Sequence, residues 1–254
     1  MNSFSVLIPA RMHSTRLPHK MTLNLGGVPL IIRTAKQASK SSASKVIVAT
    51  DHPDIVTICK EHDIDVVLTQ EKHKTGTDRL SEVATLLNLA DNEIVVNVQG
   101  DEPLIDPQLI NQLAEFIVHQ QTEIATIAHP IYQEDEIFNP HIVKVVLDKL
   151  NNALYFSRAP IPFYRDGFMD RTQFKLPQNL NLLRHIGIYA YTAKFLKTYT
   201  QMADCALEHT ECLEQLRALY NGHKIAVLTT PLTPVAGVDT LEDLQRIRQV
   251  VSKL

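Results

Sequence analysis

Cysteine is scarce: the 254-residue chain carries 3, at Cys59, Cys205 and Cys212. An odd count at wide spacing builds no disulfide framework and points to a reducing compartment, so the cytoplasm is the expected location. A basic excess is missing as well. The formal charge is −3, from 25 Lys and Arg against 28 Asp and Glu, so no nucleic-acid footprint is expected and any phosphate site must be local. Long apolar runs are absent: the richest, Val95-Val96-Asn97-Val98, ends against Gly100 and two acids, far short of the ~20 residues a membrane span requires. The start, Met1-Asn2-Ser3-Phe4-Ser5, lacks the basic stretch and apolar core of a secretion signal, and no membrane partner is expected. With 8 Gly in the chain, neither G-x-G-x-x-G opening a helix nor G-x-x-x-x-G-K-[ST] occurs, which argues against hydride transfer and the usual ATPase mechanism. G-x-S-x-G, C-x-x-C and H-E-x-x-H are missing too, so no familiar nucleophile or zinc machine is in place.

What is present is a chain 44% apolar and 21% charged, enough for one substantial core. Residues 5–8 read as a buried strand stopped by Pro9, followed by a basic, hydroxyl-rich loop over 10–22 and a helix from about Pro29. Strands at 45–49 and 66–68 enclose a helix with Pro53 in its first turn. A helix at 77–89, the best central strand at 94–98 and a helix at 107–119, capped by Asp106, complete an alternating pattern. That alternation predicts an α/β fold with a mainly parallel sheet flanked by helices. The loops after Ile8, Ala49 and Val98 then converge on one crevice at the carboxyl ends of their strands.

From residue 124 the pattern is mixed. Strands are read at 124–128, 143–147 and 153–156, the last antiparallel after a short turn. Pro160, Pro162 and Pro177 bracket a weakly periodic segment, 164–180, expected as an excursion or dimer arm. A strand at 184–191, a helix at 211–220, a strand at 225–228 and an amphipathic helix at 240–251 close the chain, without internal repeats.

The loop Ala10-Arg11-Met12-His13-Ser14-Thr15-Arg16-Leu17-Pro18-His19-Lys20 places three firm cations and two hydroxyls directly after a buried strand. Arg11 and Arg16 can fork onto phosphate oxygens while Lys20 serves as a mobile point charge, together matching a triphosphate and its leaving pyrophosphate. A solvated basic turn is the plain alternative. In Asn97-Val98-Gln99-Gly100-Asp101-Glu102-Pro103 the Asp101 carboxylate is aimed into the crevice, where Mg²⁺ could bridge it to phosphate oxygens; Glu102 is equally well read as structural. Asp239 alone would be an ordinary helix cap, yet a second carboxylate from a distant loop would complete a magnesium site.

Lys74-Thr75-Gly76-Thr77-Asp78-Arg79 is a Gly-centred loop suited to a base or ribose, with capping by Thr77 or Asp78 as the structural reading. Arg79, set against the dipole in the first helical turn, is the more telling residue. In the second half Arg158 precedes a Pro-stiffened bend and offers a carboxylate fork. His185 and Tyr189 share a strand face, and Glu211 and Gln215 share a helix face by their i,i+4 spacing; a sugar acid would suit them, although an ion pair and solvated faces are equally plain readings. Cys205, His209 and Cys212 lie along one helical stripe and cannot readily wrap a tetrahedral zinc.

Taken together, Ile8-Pro9-Ala10-Arg11-Met12-His13-Ser14-Thr15-Arg16-Leu17-Pro18-His19-Lys20 and Asn97-Val98-Gln99-Gly100-Asp101-Glu102-Pro103 closely resemble the 3-deoxy-manno-octulosonate (KDO) cytidylyltransferases, the CMP-KDO synthetases. The resemblance continues through Thr75-Gly76-Thr77-Asp78-Arg79, Tyr155-Phe156-Ser157-Arg158-Ala159-Pro160-Ile161-Pro162, Arg184-His185-Ile186-Gly187-Ile188-Tyr189 and Gly237-Val238-Asp239-Thr240. It implies a Rossmann-like nucleotidyltransferase fold with a smaller mixed region for substrate and dimerisation. It also implies a cytoplasmic, Mg²⁺-dependent homodimer that joins CTP to KDO, releasing pyrophosphate, for lipopolysaccharide synthesis. Within a single domain over 1–254, residues 1–123 would mainly bind nucleotide and 124–230 would mainly bind sugar and dimerise, while 231–254 would return a metal-site loop and helix.

By the same resemblance Arg11, Arg16 and Lys20 look like the triphosphate clamp, and Asp101 and Asp239 like metal ligands. Arg79 and Gln99 look like cytidine-side contacts, Ser14 and Thr77 are further nucleotide-binding candidates, and Arg158, His185, Tyr189, Glu211 and Gln215 look like the sugar-acid pocket. No residue is read as a general base. A cytidylyltransferase for another sugar acid and a noncatalytic nucleotide-binding regulator are the alternatives.

Overall fold

The computed structural model describes residues 3–170, 175–177, 180–232 and 237–253. The first half runs β1 (Phe4–Ala10), a 3₁₀ turn (Lys20–Thr22), β2 (Asn24–Leu25), β3 (Val28–Pro29), α1 (Leu30–Ala38), β4 (Lys45–Thr50), α2 (Pro53–Glu61), β5 (Asp65–Leu68), α3 (Gly76–Leu86), β6 (Ile94–Asn97) and α4 (Pro107–Gln120). The second runs β7 (Ile124–Pro130), α5 (Glu134–Phe138), β8 (Lys144–Leu147), β9 (Ala153–Ser157), α6 (Arg165–Phe168), β10 (Leu183–Thr192), α7 (Ala193–Tyr199), α8 (Ala206–Glu211), α9 (Gln215–Tyr220), β11 (Ala226–Thr229) and α10 (Leu241–Val251).

All seven residues of β1 are buried, as befits a central parallel strand covered on both faces. It pairs in parallel with β4 on one side and β6 on the other, and β5 extends the sheet beyond β4. Side chains alternate between two cores: Val6, Ile8 and Val96 pack with α1 and α4 residues such as Ile31 and Ile110, while Leu7 and Val95 face Leu80, Phe195 and Leu216. The described strands form a nine-stranded sheet with main order β11-β7-β10-β6-β1-β4-β5, and β8 and β9 branch beside β10. The strand order reverses between β1 and β6, and the crevice outside a parallel sheet opens at such a switch point.

The expected parallel first half and the β8–β9 antiparallel pair are both present. The reach of the strand read at 184–191 was not foreseen: β10 inserts antiparallel between β6 and β7, with a register irregularity between Ile186 and Tyr189. The helix expected at 211–220 is two helices, because Cys212 adopts φ 52 and ends α8. Glu211 and Gln215 therefore do not share a helix face. Asp106 caps α4 as expected, accepting from the Gln108 amide at 2.9 Å. α3 starts earlier than read, because Thr75, not Thr77, is its cap; Thr75 and Asp78 form a reciprocal capping box. Part of the expected 164–180 excursion lies outside the described residues. Within the remainder Phe168 packs with Ile131, Ile137 and Leu182 in a small satellite core.

The C-terminal helix is what brings the ends of the chain together. Leu244, Ile247 and Val251 of α10 pack with Leu17, Leu25 and Leu30. That cluster fastens the segment carrying Asp239 beside the basic loop after β1.

Candidate active site

Asp101 follows β6 and Asp239 precedes α10, and the ammonium of Lys20, in the 3₁₀ turn, lies between them. Lys20 Nζ donates to Asp101 Oδ2 at 2.7 Å and to Asp239 Oδ1 at 2.9 Å. Arg16 Nη2 adds an ion pair to Asp239 Oδ2 at 3.2 Å. The Lys20 side chain is only 8% exposed, so the expectation of a mobile point charge is corrected: two carboxylates fix it. Burial works against its charge, but the pull and hydrogen bonds of Asp101 and then Asp239 raise its pKa above the ordinary lysine value.

Asp239 is free for this role because its neighbour does the capping: Thr240 Oγ1 accepts from the Asp243 amide, and the Asp243 carboxylate accepts in return from the Thr240 amide. Glu102 stands beside the pair. Burial first, then the charges of Asp101 and Asp239, push its carboxyl up to about 8. Close approach is built in by Gly100, where a Cβ would lie 2.9 Å from the Pro9 carbonyl oxygen.

Two hard oxygen donors already gripping a cation form a suitable nest for Mg²⁺ that takes its remaining ligands from phosphate and water. Among the described residues no group of three or more His, Cys, Asp or Glu side chains gathers as a self-sufficient metal site. Cys205 instead accepts from the Glu208 amide as the cap of α8, and Cys212 is exposed.

Arg11 leaves β1 toward the acidic cluster of Asp51, Asp78 and Glu214. Burial and then the neighbouring Arg79 lower its pKa, with those three carboxylates pulling the other way. Its Nη2 is buried without a hydrogen-bond partner, a donor poised for an anion. Ser14 Oγ accepts from the Leu17 amide at 3.4 Å and so shapes the loop.

Arg79 requires a correction. Its side chain is fully buried, with Nη2 donating to Asp51 Oδ2 at 2.5 Å and Nη1 to Thr69 Oγ1 at 2.5 Å. It ties α3 to the ends of β4 and β5, so it positions the crevice wall and does not project into it. Thr77 is likewise 1% exposed, its hydroxyl donating to Glu214 Oε1 at 3.0 Å. The loop before α3 is held from the other side by the hydrogen bond between His73 Nε2 and Glu82 Oε2.

A cavity of about 310 Å³ opens beside Gln99 and is lined by His185, Tyr189, Gln215, Glu214 and Arg184 among others. Three of the five residues expected for a sugar acid, His185, Tyr189 and Gln215, thus share one space. His185 Nε2 lies 2.9 Å from Thr126 Oγ1, and burial lowers its pKa to about 3, so the ring is neutral at physiological pH. Burial raises the Tyr189 pKa well above the ordinary phenol, and its hydroxyl is buried without a partner, as is Gln215 Nε2. Gln99 Nε2 donates to the Gly187 carbonyl at 3.4 Å across the mouth.

Glu211 and Arg158 stand behind this cavity and build its wall. The Glu211 carboxylate accepts from Ser157 Oγ at 2.6 Å and from the Arg158 amide at 3.0 Å. Arg158 spends its guanidinium on carbonyls, with Nε to Glu211 at 2.6 Å, Nη1 to Pro140 at 2.9 Å and Nη2 to Cys212 at 3.4 Å. Buried Lys144 clamps the same wall from beneath, donating to the carbonyls of Asn139, Ile142 and Arg158. Sequence reasoning missed Asp51, Lys144 and Glu214. The adjacency of Glu214 to Gln215 was the one available signal.

A family model described as cytidylyltransferase matches residues 5–225. The chain is 53% identical over 250 residues to a 3-deoxy-manno-octulosonate cytidylyltransferase of Neisseria meningitidis serogroup A, covering 98% of each chain. It is 54% identical over 251 residues to the enzyme of that name from Polynucleobacter necessarius, covering 98% of this chain and 96% of that one. Among solved structures, a CMP:2-keto-3-deoxy-manno-octonic acid synthetase in complex with CTP matches with a TM-score of 0.89 and 34% identity, over 99% of both chains. A cytidylyltransferase from Leptospira borgpetersenii, 18% identical with a TM-score of 0.63 over 99% of this chain and 87% of that one, shares the fold.

Proposed function

The chain belongs to the 3-deoxy-manno-octulosonate cytidylyltransferase family, and from that premise we infer how its residues perform the reaction. The protein is an enzyme that transfers CMP from CTP to KDO, giving CMP-KDO and pyrophosphate, a step of lipopolysaccharide biosynthesis. The observation that carries the site assignment is the meeting of Asp101 and Asp239 on one cation beside the basic loop, at the β1/β6 switch point.

In the reaction the anomeric hydroxyl oxygen of KDO loses its proton to water and forms a bond to the α-phosphorus of CTP in line with the breaking bond to the pyrophosphate oxygen, and pyrophosphate leaves. No group here need become covalently attached to substrate, so the work of the protein is positioning and charge stabilisation. Arg11 and Arg16 take non-bridging oxygens of the triphosphate, Arg11 Nη2 having no protein acceptor to give up. Lys20 adds a fixed positive charge and keeps the two carboxylates in register. Asp101 and Asp239 would hold Mg²⁺, which when bound supplies positive charge to the phosphate oxygens.

Ser14 shapes the clamp loop. Gln99, at the mouth of the sugar cavity, is assigned to the cytidine by the family resemblance, and Arg79 and Thr77 support the neighbouring wall from within the fold. His185, Tyr189 and Gln215 present neutral hydrogen-bonding groups to KDO hydroxyls, and Glu211 and Arg158 hold the wall behind them. Large apolar side chains exposed beyond this pocket, Leu154 at 62%, Phe163 at 57% and Met169 at 79%, fit a homodimer through the 124–230 region. Among the described residues no helix is long and apolar enough to cross a membrane; a cytoplasmic location is our reading.

The test is pyrophosphate release by the purified protein with CTP, KDO and Mg²⁺, alongside the other nucleoside triphosphates, a sialic acid and a no-metal control. Release that needs CTP, KDO and metal together is the expected result. Sialic acid replacing KDO would overturn the sugar assignment, and CTP binding without turnover would overturn the enzyme assignment.

A further inference from the structure

The sugar acid proposed above carries a carboxylate, and a carboxylate entering a partly enclosed pocket needs a cationic partner. The obvious candidate by sequence, Arg158, has all three guanidinium nitrogens directed at backbone carbonyls of the wall. Among the described residues lining the 310 Å³ cavity, Arg184 is the only lysine or arginine. The lining histidines do not replace it: His141 sits exposed at the rim, and His185 is neutral. Glu214, also in the lining, is an acid and cannot attract an anion.

Arg184 is also short of acceptors. Its backbone is fixed near the start of β10, in register with His129 of β7 and Lys144 of β8. Its Nη1 pairs with Glu136 Oε1 of α5, and its Nε is buried with no hydrogen-bond partner. Nη2 has no acceptor among the described residues either. The Nε/Nη2 edge, the side of a guanidinium that matches a carboxylate with two parallel hydrogen bonds, therefore remains unused, while Glu136 steadies the opposite corner.

We propose that Arg184 is the residue that reads the carboxylate of the sugar acid, through its Nε/Nη2 edge, with Glu136 as the group that holds the fork. This rests on the family reading of the same pocket, and it makes Arg184 the selector for acids over neutral sugars. His185, Tyr189 and Gln215, all without formal charge, then read hydroxyls.

The experiment compares KDO with its carboxamide in pyrophosphate release, and measures KDO binding directly by calorimetry, for the wild type, R184K, R184Q and the double variant E136Q/R184Q. The double variant leaves no carboxylate without its cation, so it guards against a folding defect. The wild type is expected to favour the acid strongly. R184Q and E136Q/R184Q should lose on the order of 100-fold in kcat/KM for KDO, mostly as KM, with the CTP requirement within about twofold and activity on the carboxamide barely changed. R184K should fall between, since a point charge replaces a fork.

Equal losses on acid and amide, or a KM for KDO that R184Q leaves unchanged in an active enzyme, would overturn the proposal while leaving the proposed reaction intact. Calorimetric KDO binding that is present in the wild type and lost in E136Q/R184Q, without pyrophosphate release by either, would support the proposal and overturn the reaction instead.

Discussion

The amide of Val238 donates to the carbonyl of Asp101 at 2.9 Å, so the two segments that supply the candidate metal carboxylates are joined by a backbone hydrogen bond. Gly237 permits that approach: a Cβ there would stand 2.8 Å from the Asp101 carbonyl oxygen and 3.0 Å from Glu102 Oε1. Gly237→Ala must push the two segments apart. We expect the Mg²⁺ concentration for half-maximal pyrophosphate release to rise by roughly tenfold, about 1.4 kcal/mol, with little change in Tm. An unchanged metal titration would separate the docking from the metal site.

Arg79 and Asp51 form an ion pair in which the arginine is completely buried. Removing the arginine leaves Asp51 without its cation, the costly way to break such a pair. Arg79→Leu is expected to lower stability by about 3–5 kcal/mol in a urea titration. Arg79→Lys should recover only part of this, because one ammonium cannot reach both Asp51 and Thr69 as the fork does. Full recovery by lysine would show that charge alone matters at this position.

Elements set by local signals were legible in the sequence. The apolar runs of β1 and β6, Pro53 at the start of α2 and Asp106 before α4 each announce themselves within a few residues, and with them the two loops that carry Arg11 and Asp101. What escaped is fixed by distant partners. The antiparallel seat of β10 between β6 and β7 depends on pairing across the sheet, which no window of the strand itself encodes. The break after Glu211 rests on Cys212 in a left-handed conformation, where neither Gly nor Asn marks it. Arg79 was read correctly as unusual for a first helical turn, but its partner Asp51 comes from another strand end, so its burial was invisible. Asp239 and Asp101 were nominated together on chemistry; the hydrophobic docking of α10 on Leu17, Leu25 and Leu30 is the physical reason they meet.

Arg158 holds the carbonyls of Glu211 and Cys212 at the junction of α8 and α9 and that of Pro140 opposite. Arg158→Ala frees this junction, which carries Gln215 into the sugar cavity a few residues later. The KM for KDO should therefore rise by about tenfold or more, while that for CTP stays within about twofold. Guanidinium ion added in solution should not restore it, because three separated carbonyls demand a tethered group. An equal loss for both substrates would place Arg158 outside the sugar side.

His185 supplies a pH dependence with a definite sign. Burial lowers its pKa from 6.5 to about 3, so between those values the unfolded chain binds a proton that the folded protein refuses. Stability from this group is fully present above pH 6.5 and is lost as the pH falls toward 3. Carboxylates whose pKa values are depressed, Glu82 and Asp243 among them, add their own losses only around and below their ordinary range. Glu102 and Glu214, whose carboxyls burial raises, push the other way in the window just below pH 6.5, so the histidine's share is read as the difference between the wild type and a variant lacking the ring. The wild-type Tm minus that of His185→Asn, which keeps a hydrogen-bonding group near Thr126, should fall as the pH is lowered across that window. Parallel curves would show that the ring is not held neutral.

Asp101→Asn tests the centre of the site with the least change of shape. Asparagine can still accept from Lys20 through its amide oxygen, so the turn after β6 should persist and Tm should move little. It removes one of the two negative charges that fit the place for a divalent cation; burial remains the main cause of the raised Glu102 carboxyl, but without the Asp101 charge that carboxyl should titrate somewhat lower. Turnover should fall by on the order of 100-fold or more at saturating CTP and KDO. Excess Mg²⁺ should recover only a minor part, because concentration cannot supply the missing ligand. Mg²⁺ should also stabilise the wild type against heat more than the variant, since a ligand that binds the folded state more tightly raises Tm further. Near-normal turnover at saturating Mg²⁺ would remove Asp101 from the metal assignment, leaving its bond to Lys20 as its role.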